Sequence, residues 1–154
     1  MLKKILIFGA TGMVGASFYR ILRKRKYDVI GVSRRGPDIK HDIFDDPLAI
    51  ANIIKEGKPE LVINSVGLVS LNECENNPNK AYILNTLVSK IISSACELVD
   101  AKYLYISTDH YYDGDGLMLH REDQEIKLLN NYSKTKYEGE LFALNYKKAQ
   151  IVRT

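Results

Sequence analysis

The sequence predicts an α/β protein, a Rossmann-type doubly wound parallel sheet in three layers, and two observations carry this prediction. Short apolar and β-branched runs alternate along the chain with longer segments of helical periodicity, which is typical of βαβ units. A glycine-rich turn between Gly9 and Gly15 follows the first run directly and opens the first helical segment. The chain has 154 residues, 45% of them hydrophobic, and shows no linker or repeat, so we expect one NAD(P)-binding domain over residues 1–154.

The first half of the chain supplies three predicted strands in order. Residues 5–8 and 29–32 are short apolar runs, and apolar side chains at helical spacing from Met13 to Leu22 lie between them. A helix is expected over residues 47–56, where Gly57 and Pro59 end it. The segment between the second strand and this helix is too short for a crossover helix, so a strand near residues 39–42 would require an unusually direct connection.

The second half continues the alternation. We expect a buried strand over residues 61–64, a long helix over 80–99 and a strand over 102–107. A polar loop over residues 109–131 then leads to a helix over about 132–146, and a last strand begins at residues 151–152. Nothing follows this strand that could form a substrate-binding lobe, so we expect that the C-terminal lobe is absent.

Composition argues against several other classes of protein. The net charge of +3 is too small to indicate nucleic-acid binding. The basic cluster over residues 20–26 lies at the C-terminal end of a predicted helix, where the helix macrodipole stabilises positive charge. Cys74 and Cys96 form no metal or disulfide pattern, and the three histidines lack metal-ligand spacing. No apolar run reaches the roughly 18 residues of a membrane span. We therefore expect a cytoplasmic protein without a metal, a membrane or a nucleic acid as partner.

The glycine-rich turn predicts a dinucleotide site. Glycines permit a tight turn and let backbone amides approach a pyrophosphate, while the helix N-terminus contributes free N–H groups and a favourable dipole. The spacing G-x-x-G-x-x-G is similar to that of extended short-chain dehydrogenases. The residues expected to contact the cofactor here are Gly9, Thr11, Gly12, Met13, Val14 and Gly15.

The end of the second strand indicates which dinucleotide is preferred. In NAD-selective domains a carboxylate about 20 residues beyond the glycines binds the ribose hydroxyls. Here the strand ends in Ser33, Arg34 and Arg35, and two guanidinium groups can pair with a 2′-phosphate. We therefore expect NADP(H) to be preferred, with NAD(H) as the alternative.

Tyr132 and Lys136 lie four residues apart at the start of a predicted helix and therefore share one face. An unperturbed tyrosine, with a pKa of about 10, is a poor proton donor at neutral pH, but a nearby ammonium stabilises its phenolate. The strand over residues 102–107 brings Thr108 to the edge of the sheet where ligands bind. A hydroxyl there can donate to a substrate carbonyl as negative charge develops on its oxygen. Tyr132 and Lys136 are therefore predicted catalytic residues, together with a hydroxyl at the end of this strand, that of Ser107 or Thr108.

Several segments together resemble one family of extended short-chain dehydrogenases/reductases. Residues 107–114, S-T-D-H-Y-Y-D-G, look like the S-T-D-Y-V-F-D-G segment of dTDP-4-dehydrorhamnose reductases, and residues 132–140 resemble their Y-G-x-[ST]-K-x-x-G-E segment. Residues 62–67, V-I-N-S-V-G, are similar to the family's V-I-N-A-A-A strand end. Three further matches are Asp42-Ile43, Asn85 and the final I-V-R-T.

This resemblance implies an NAD(P)H-dependent reductase of a nucleotide-activated 4-keto-6-deoxy sugar, active in dTDP-rhamnose or other polysaccharide biosynthesis. Tyr132 would protonate the keto oxygen, and Lys136 would tune Tyr132 and hold the nicotinamide ribose. Thr108 would bind the carbonyl oxygen, and Asp109 would contact the sugar, so that Thr108, Asp109 and Tyr132 bind the substrate. The resemblance also places Asp42 and Ile43 beside the adenine, and Asn64, Ser65, Val66 and Gly67 under the cofactor.

Two other functions stay open. Residues 68–73 depart from the family's Y-T-x-V-D-x segment, which leaves the identity of the sugar undecided. An epimerase or dehydratase of the same superfamily would use the same catalytic residues, and a non-catalytic NADP-binding regulatory module would keep the same fold. Family members are roughly twice as long as this chain. A surface that the missing lobe would cover is expected to promote association, with a homo-oligomer as one outcome.

Overall fold

The structure, a computed structural model, describes residues 3–112 and 119–154 and contains a parallel sheet of six strands in the order β3-β2-β1-β4-β5-β6. The strands are β1 (Lys4–Phe8), β2 (Asp28–Ser33), β3 (Ile39–Lys40), β4 (Leu61–Asn64), β5 (Lys102–Ile106) and β6 (Ala149–Val152). The helices are α1 (Met13–Lys24), α2 (Ala49–Gly57), α3 (Leu71–Asn76), α4 (Pro78–Ala81), α5 (Val88–Val99) and α6 (Asn131–Leu144). The predicted Rossmann-type doubly wound fold is therefore confirmed.

The central strand β1 is buried on both faces, which explains its continuous apolar run. Leu6 and Phe8 belong to a hydrophobic cluster that includes side chains of α2, α5 and α6. Ile5 and Ile7 belong to a second cluster, against which side chains of α1 pack. Since successive residues of a strand point to opposite faces, the sheet separates two layers of helix.

The strand expected near residues 39–42 is present as β3, and it does arrive by a direct connection. Only residues 34–38 separate it from β2, with which it pairs in parallel through Val32 and Ile39. The Asp38 carboxylate accepts a hydrogen bond from the backbone N–H of Gly31 at 2.8 Å, and Gly36 adopts a positive φ of 80°. A side chain thus satisfies a strand donor within a connection that has no room for a helix.

The helix predicted over residues 80–99 is continuous from Pro78 to Val99 but is not uniformly α-helical. Between α4 and α5, the segment Tyr82–Leu87 is a π-helix, which adds one residue to the turn. By length and composition the whole helix could cross a membrane, which the sequence analysis did not foresee. Its buried side chains, however, pack in the same cluster as the sheet, as expected for the core helix of a globular domain.

Two segments differ from the sequence prediction. The six-residue helix α3 was not predicted, and α6 begins at Asn131 behind an N-cap at Asn130. In the loop expected over residues 109–131, Asp113 and Gly114 of the resemblance lie outside the described residues.

Candidate active site

A cavity of about 710 Å³ lies where the chain leaves the carboxyl ends of β1, β2 and β4. From β1 the sheet extends to β2 on one side and to β4 on the other, so this is the switch point at which open α/β sheets bind ligands. Eleven of the predicted cofactor residues line it: Gly9, Thr11, Gly12, Ser33, Arg34, Arg35, Asp42, Ile43, Ser65, Val66 and Gly67.

The glycine-rich turn forms the floor of the cavity beside α1. Gly9 has a φ of 80°, and its carbonyl accepts a hydrogen bond from the N–H of Gly12 at 2.9 Å. A Cβ at Gly15 would lie 2.2 Å from the Gly9 oxygen and 2.5 Å from the Ser65 hydroxyl, so only glycine allows this close approach. No side chain caps the N-terminus of α1, which leaves its amides for an anion.

Five predicted cofactor residues do not line the cavity: Lys136, which is described below, and Met13, Val14, Gly15 and Asn64. Met13 is 89% exposed in the first turn of α1, Val14 is half-buried, and Gly15 is buried beneath the turn. Asn64 is also buried below it, where its amide donates to the Tyr103 hydroxyl at 3.1 Å and accepts from the N–H of Val66 at 3.0 Å. Asn64 therefore shapes the cavity wall instead of forming its surface.

The hydroxyl and guanidinium groups at the end of β2 behave differently from each other. The Thr11 hydroxyl donates to Ser33 at 3.0 Å, and Ser33 in turn donates to the Gly36 carbonyl at 2.8 Å. Arg34 and Arg35 are exposed at the cavity, and neither forms an ion pair within the described residues. Two unpaired guanidinium groups at this position offer strong donors to a phosphate.

Six residues at the outer end of the cavity were not predicted from the sequence. Glu73 and Lys80 form an ion pair of 2.6 Å there, and the Lys80 ammonium lies 5.7 Å from the centre of the Phe44 ring. The departure from the family's pattern at residues 68–73 was a signal that this wall differs, but it did not indicate the pairing. The six residues are His41, Phe44, Leu68, Glu73, Lys80 and Leu84.

Lys136 is 4% exposed and lies behind the cavity wall. Its ammonium donates to the Ile106 carbonyl at 2.7 Å and lies 4.3 Å from the centre of the Tyr105 ring. A Cβ at Gly67 would be 3.9 Å from Nζ, so the ammonium reaches the end of the cavity beside this glycine. Burial lowers the pKa of Lys136 to about 7, an effect that the nearby Glu140 carboxylate opposes.

Tyr132 lies in the first turn of α6, half-buried, with its ring edge-on to His110 at a centroid distance of 5.7 Å. The N–H of His110 donates to the Thr108 hydroxyl at 3.1 Å, which brings Thr108 to the same side. Within the described residues the Tyr132 hydroxyl makes no hydrogen bond, so it is available to a substrate. Asp109 lies further out and lines a second cavity of about 690 Å³.

Asn85, in the middle of the π-helical turn, connects the two parts of the site. Its side-chain oxygen accepts from the N–H of Leu68 at 2.7 Å, and its amide donates to the Leu68 carbonyl at 3.2 Å and to the Thr135 hydroxyl at 3.0 Å. The wall of the cavity is thereby tied to the helix that carries Tyr132. Such irregular turns frequently occur at functional sites.

A buried ion pair holds the end of β5 against α6. Glu140 is 2% exposed, accepts from the Ser107 hydroxyl at 2.7 Å and pairs with Arg153. Arg153 also donates to the Tyr112 hydroxyl at 2.7 Å, and the Glu140 carboxylate raises the pKa of its guanidinium. This network fixes the backbone that presents Thr108.

Comparisons with known proteins agree with this geometry. The family model described as RmlD substrate binding domain matches residues 3–154. The spore coat polysaccharide biosynthesis protein SpsK of Bacillus subtilis is 30% identical over 98% of this chain and 52% of its own length. Methionine adenosyltransferase 2 subunit beta of Xenopus tropicalis is 31% identical over 98% of this chain and 46% of its own.

A solved structure shows the same fold. The dTDP-4-dehydrorhamnose reductase from Bacillus anthracis in complex with NADP superposes with a TM-score of 0.88 at 27% identity, over 99% of this chain and 53% of that one. The chain thus spans about half the length of the relatives that it matches.

Proposed function

Because this chain belongs to the RmlD substrate binding domain family, we propose that it forms the NADP(H)-binding part of a reductase that acts on a nucleotide-activated 4-keto-6-deoxy sugar. The observation that supports this most is the joint geometry of the glycine-floored cavity and the buried Lys136 at its end. In the similar Bacillus anthracis protein, a dTDP-4-dehydrorhamnose reductase, NADP is the ligand of the complex.

The residues of the cavity fit a dinucleotide phosphate. The uncapped N-terminus of α1 suits a pyrophosphate, and Arg34 and Arg35 suit a 2′-phosphate at the end of β2. Lys136 has three N–H donors and uses one of them on Ile106, which leaves two for ribose hydroxyls beside Gly67. A buried ammonium with spare donors is costly unless a ligand satisfies it.

The bound cofactor would supply a hydride to the carbonyl carbon of the sugar. Tyr132 would donate its phenolic proton to the keto oxygen, and the Lys136 ammonium would stabilise the phenolate that remains. Thr108 would donate a hydrogen bond to the same oxygen as it gains negative charge, and Asp109 would bind a sugar hydroxyl. The Glu140–Arg153 pair would keep the backbone of the Thr108 segment in place.

The test combines binding with turnover. The chain is titrated with NADPH, and NADPH oxidation is then followed with dTDP-4-dehydrorhamnose in a longer version of the protein that carries a substrate lobe, with Tyr132→Phe as the matched variant in both measurements. We expect NADPH to bind both proteins with similar affinity, because Tyr132 lies outside the cavity. We expect oxidation of NADPH only in the protein that retains Tyr132. Turnover that survives in Tyr132→Phe would exclude Tyr132 as the proton donor.

A second candidate is a non-catalytic subunit, since a methionine adenosyltransferase subunit beta is 31% identical over nearly the whole chain. Such a subunit keeps the cavity and needs no proton transfer at Tyr132. NADPH binding without oxidation of NADPH by any keto-sugar nucleotide, in a version of the protein that carries a substrate lobe, would favour this candidate over the reductase.

A further inference from the structure

We propose that Glu75 is a positioning residue that makes the location of Tyr132 depend on whether the dinucleotide cavity is filled. Glu75 lies on α3, whose preceding segment lines the cavity, and its carboxylate holds the first turn of α6. This inference rests on the proposed function, because it assumes that NADPH occupies the cavity.

The contact between Glu75 and α6 is bidentate. One carboxylate oxygen accepts from the backbone N–H of Asn131 at 2.7 Å, and the other accepts from the Asn131 side-chain amide at 2.8 Å. The first turn of α6 contains no acidic residue of its own. Glu75 therefore provides, from a helix 56 residues earlier, the negative charge that a helix N-terminus favours.

Formation of α6 does not require this contact. Asn130 caps the helix through a reciprocal pair of hydrogen bonds with Ser133, and Lys136 and Glu140 anchor it in the interior. What Glu75 adds is a fixed distance between α3 and the residue that immediately precedes Tyr132. Its role is thus to place the first turn and not to create it.

The other end of α3 is joined to the cavity. Leu68 and Glu73 both line it, and Ser70 caps α3 by accepting from the N–H of Glu73 at 3.3 Å. The buried Cys74 donates its thiol hydrogen to the Leu68 carbonyl at 3.3 Å. A ligand that shifts Leu68 or Glu73 therefore moves α3 as a unit, and Glu75 transmits the shift to the residue beside Tyr132.

Substitutions that exchange the carboxylate and the amide between positions 75 and 131 test this contact. Glu75→Leu removes both acceptors, while Asn131→Asp places two carboxylates together. The double variant E75Q/N131D restores both hydrogen bonds with the donor and acceptor of one bond exchanged, at unchanged net charge. Glu56→Leu, at an exposed position of α2, is the matched control.

Two readouts are measured on each variant. The first is the hydrogen-exchange rate of the residue 131 amide without ligand, which we expect to rise about tenfold in each single variant and to return in the double variant. The second is the ring resonance of Tyr132 in tyrosine-labelled protein, assigned with Tyr132→Phe, before and after saturation with NADPH. We expect NADPH to move this resonance in the wild-type chain and in the double variant, and less than half as far in either single variant.

The outcomes separate the two proposals. A wild-type chain that does not bind NADPH overturns the proposed function and, with it, the coupling. A wild-type chain that binds NADPH, combined with a Tyr132 resonance that moves equally far in Glu75→Leu, overturns the role of Glu75 alone. Failure of the double variant to recover the response has the same meaning, since a purely structural loss would not be rescued by exchanging donor and acceptor.

Discussion

Substitution of Gly15 by alanine tests whether the close approach of α1 to the strand ends determines the stability of the fold. The added Cβ would meet the Gly9 oxygen at 2.2 Å, more than 1 Å short of the roughly 3.5 Å at which heavy atoms reach good contact. The Gly9 carbonyl cannot easily retreat, because the N–H of the same residue is bonded to Val32 in the neighbouring strand. Overpacking of this kind costs about 3 kcal/mol at the upper end of its range.

Helix propensity acts in the opposite direction. Alanine is favoured over glycine inside a helix by about 1 kcal/mol, so we expect Gly15→Ala to lower the free energy of unfolding by about 2 kcal/mol. For a chain of this size that is a fall of roughly 4–8 °C in Tm. Urea unfolding followed by circular dichroism would measure it.

Gly57 provides the control for this experiment. It ends α2, and a Cβ there would meet no atom closer than Pro59 Cδ at 3.9 Å. Gly57→Ala should therefore leave stability unchanged or raise it by about 0.5 kcal/mol. A Gly15→Ala variant as stable as the wild-type chain would refute the packing argument.

Three further variants address charge. Joint replacement of Arg34 and Arg35 by alanine should weaken NADPH binding about tenfold or more and leave NADH binding nearly unchanged, because the lost charge-assisted hydrogen bonds go to the 2′-phosphate. Burial lowers the pKa of Lys136 from 10.5 to about 7. Between pH 7 and pH 10.5 the folded state therefore binds fewer protons than the unfolded state, and the free energy of unfolding rises with pH. Lys136→Met should remove this rise. Glu140→Gln should lower the free energy of unfolding by about 3 kcal/mol, because Arg153 loses its buried partner.

Each of these has an exposed control and a measurement. Arg25→Ala, Lys55→Met and Glu97→Gln change the same residue types at exposed positions and should have little effect. Isothermal titration with both cofactors measures the first prediction, and an equal loss of NADPH and NADH affinity would contradict it. Urea unfolding over a pH series measures the other two. A pH dependence that persists in Lys136→Met, or a stable Glu140→Gln, would contradict them.

Much of the fold could be predicted from the sequence because the central strands β1, β2, β4 and β5 are largely buried and therefore stand out as apolar runs. Strand β4 was predicted at its observed bounds, and the direct connection to β3 followed from chain length. Helix α3 was missed because six residues give too little periodicity. Ser70 followed by Glu73 nevertheless matches the S-x-x-E pattern of a helix start, and the Ser70 hydroxyl does accept from the Glu73 N–H.

The candidate site was predictable where it depends on backbone and not where it depends on side chains from distant elements. The glycine turn and the end of β2 can be recognised from adjacent residues in the sequence, and both line the cavity. The pairing of Glu73 with Lys80, or of Glu75 with Asn131, depends on how separate helices meet, and sequence spacing does not encode that distance. Asn64, which was predicted to lie under the cofactor, is buried below the cavity, and its hydrogen bonds to Tyr103 and Val66 could not be read from the sequence.

The π-helical turn at Tyr82–Leu87 has a consequence for how this chain can tolerate insertions and deletions. A π-helical turn holds one residue more than an α-helical turn, so removal of one residue here would restore an ordinary α-helix while the segments on either side keep their places. Val88 and Ile92 could still face the core, and the shortened helix would gain regular hydrogen bonds. Asn85 would then turn away from Leu68 and Thr135. We expect the protein with this deletion to fold, but without the hydrogen bonds through which Asn85 connects the cavity wall to α6.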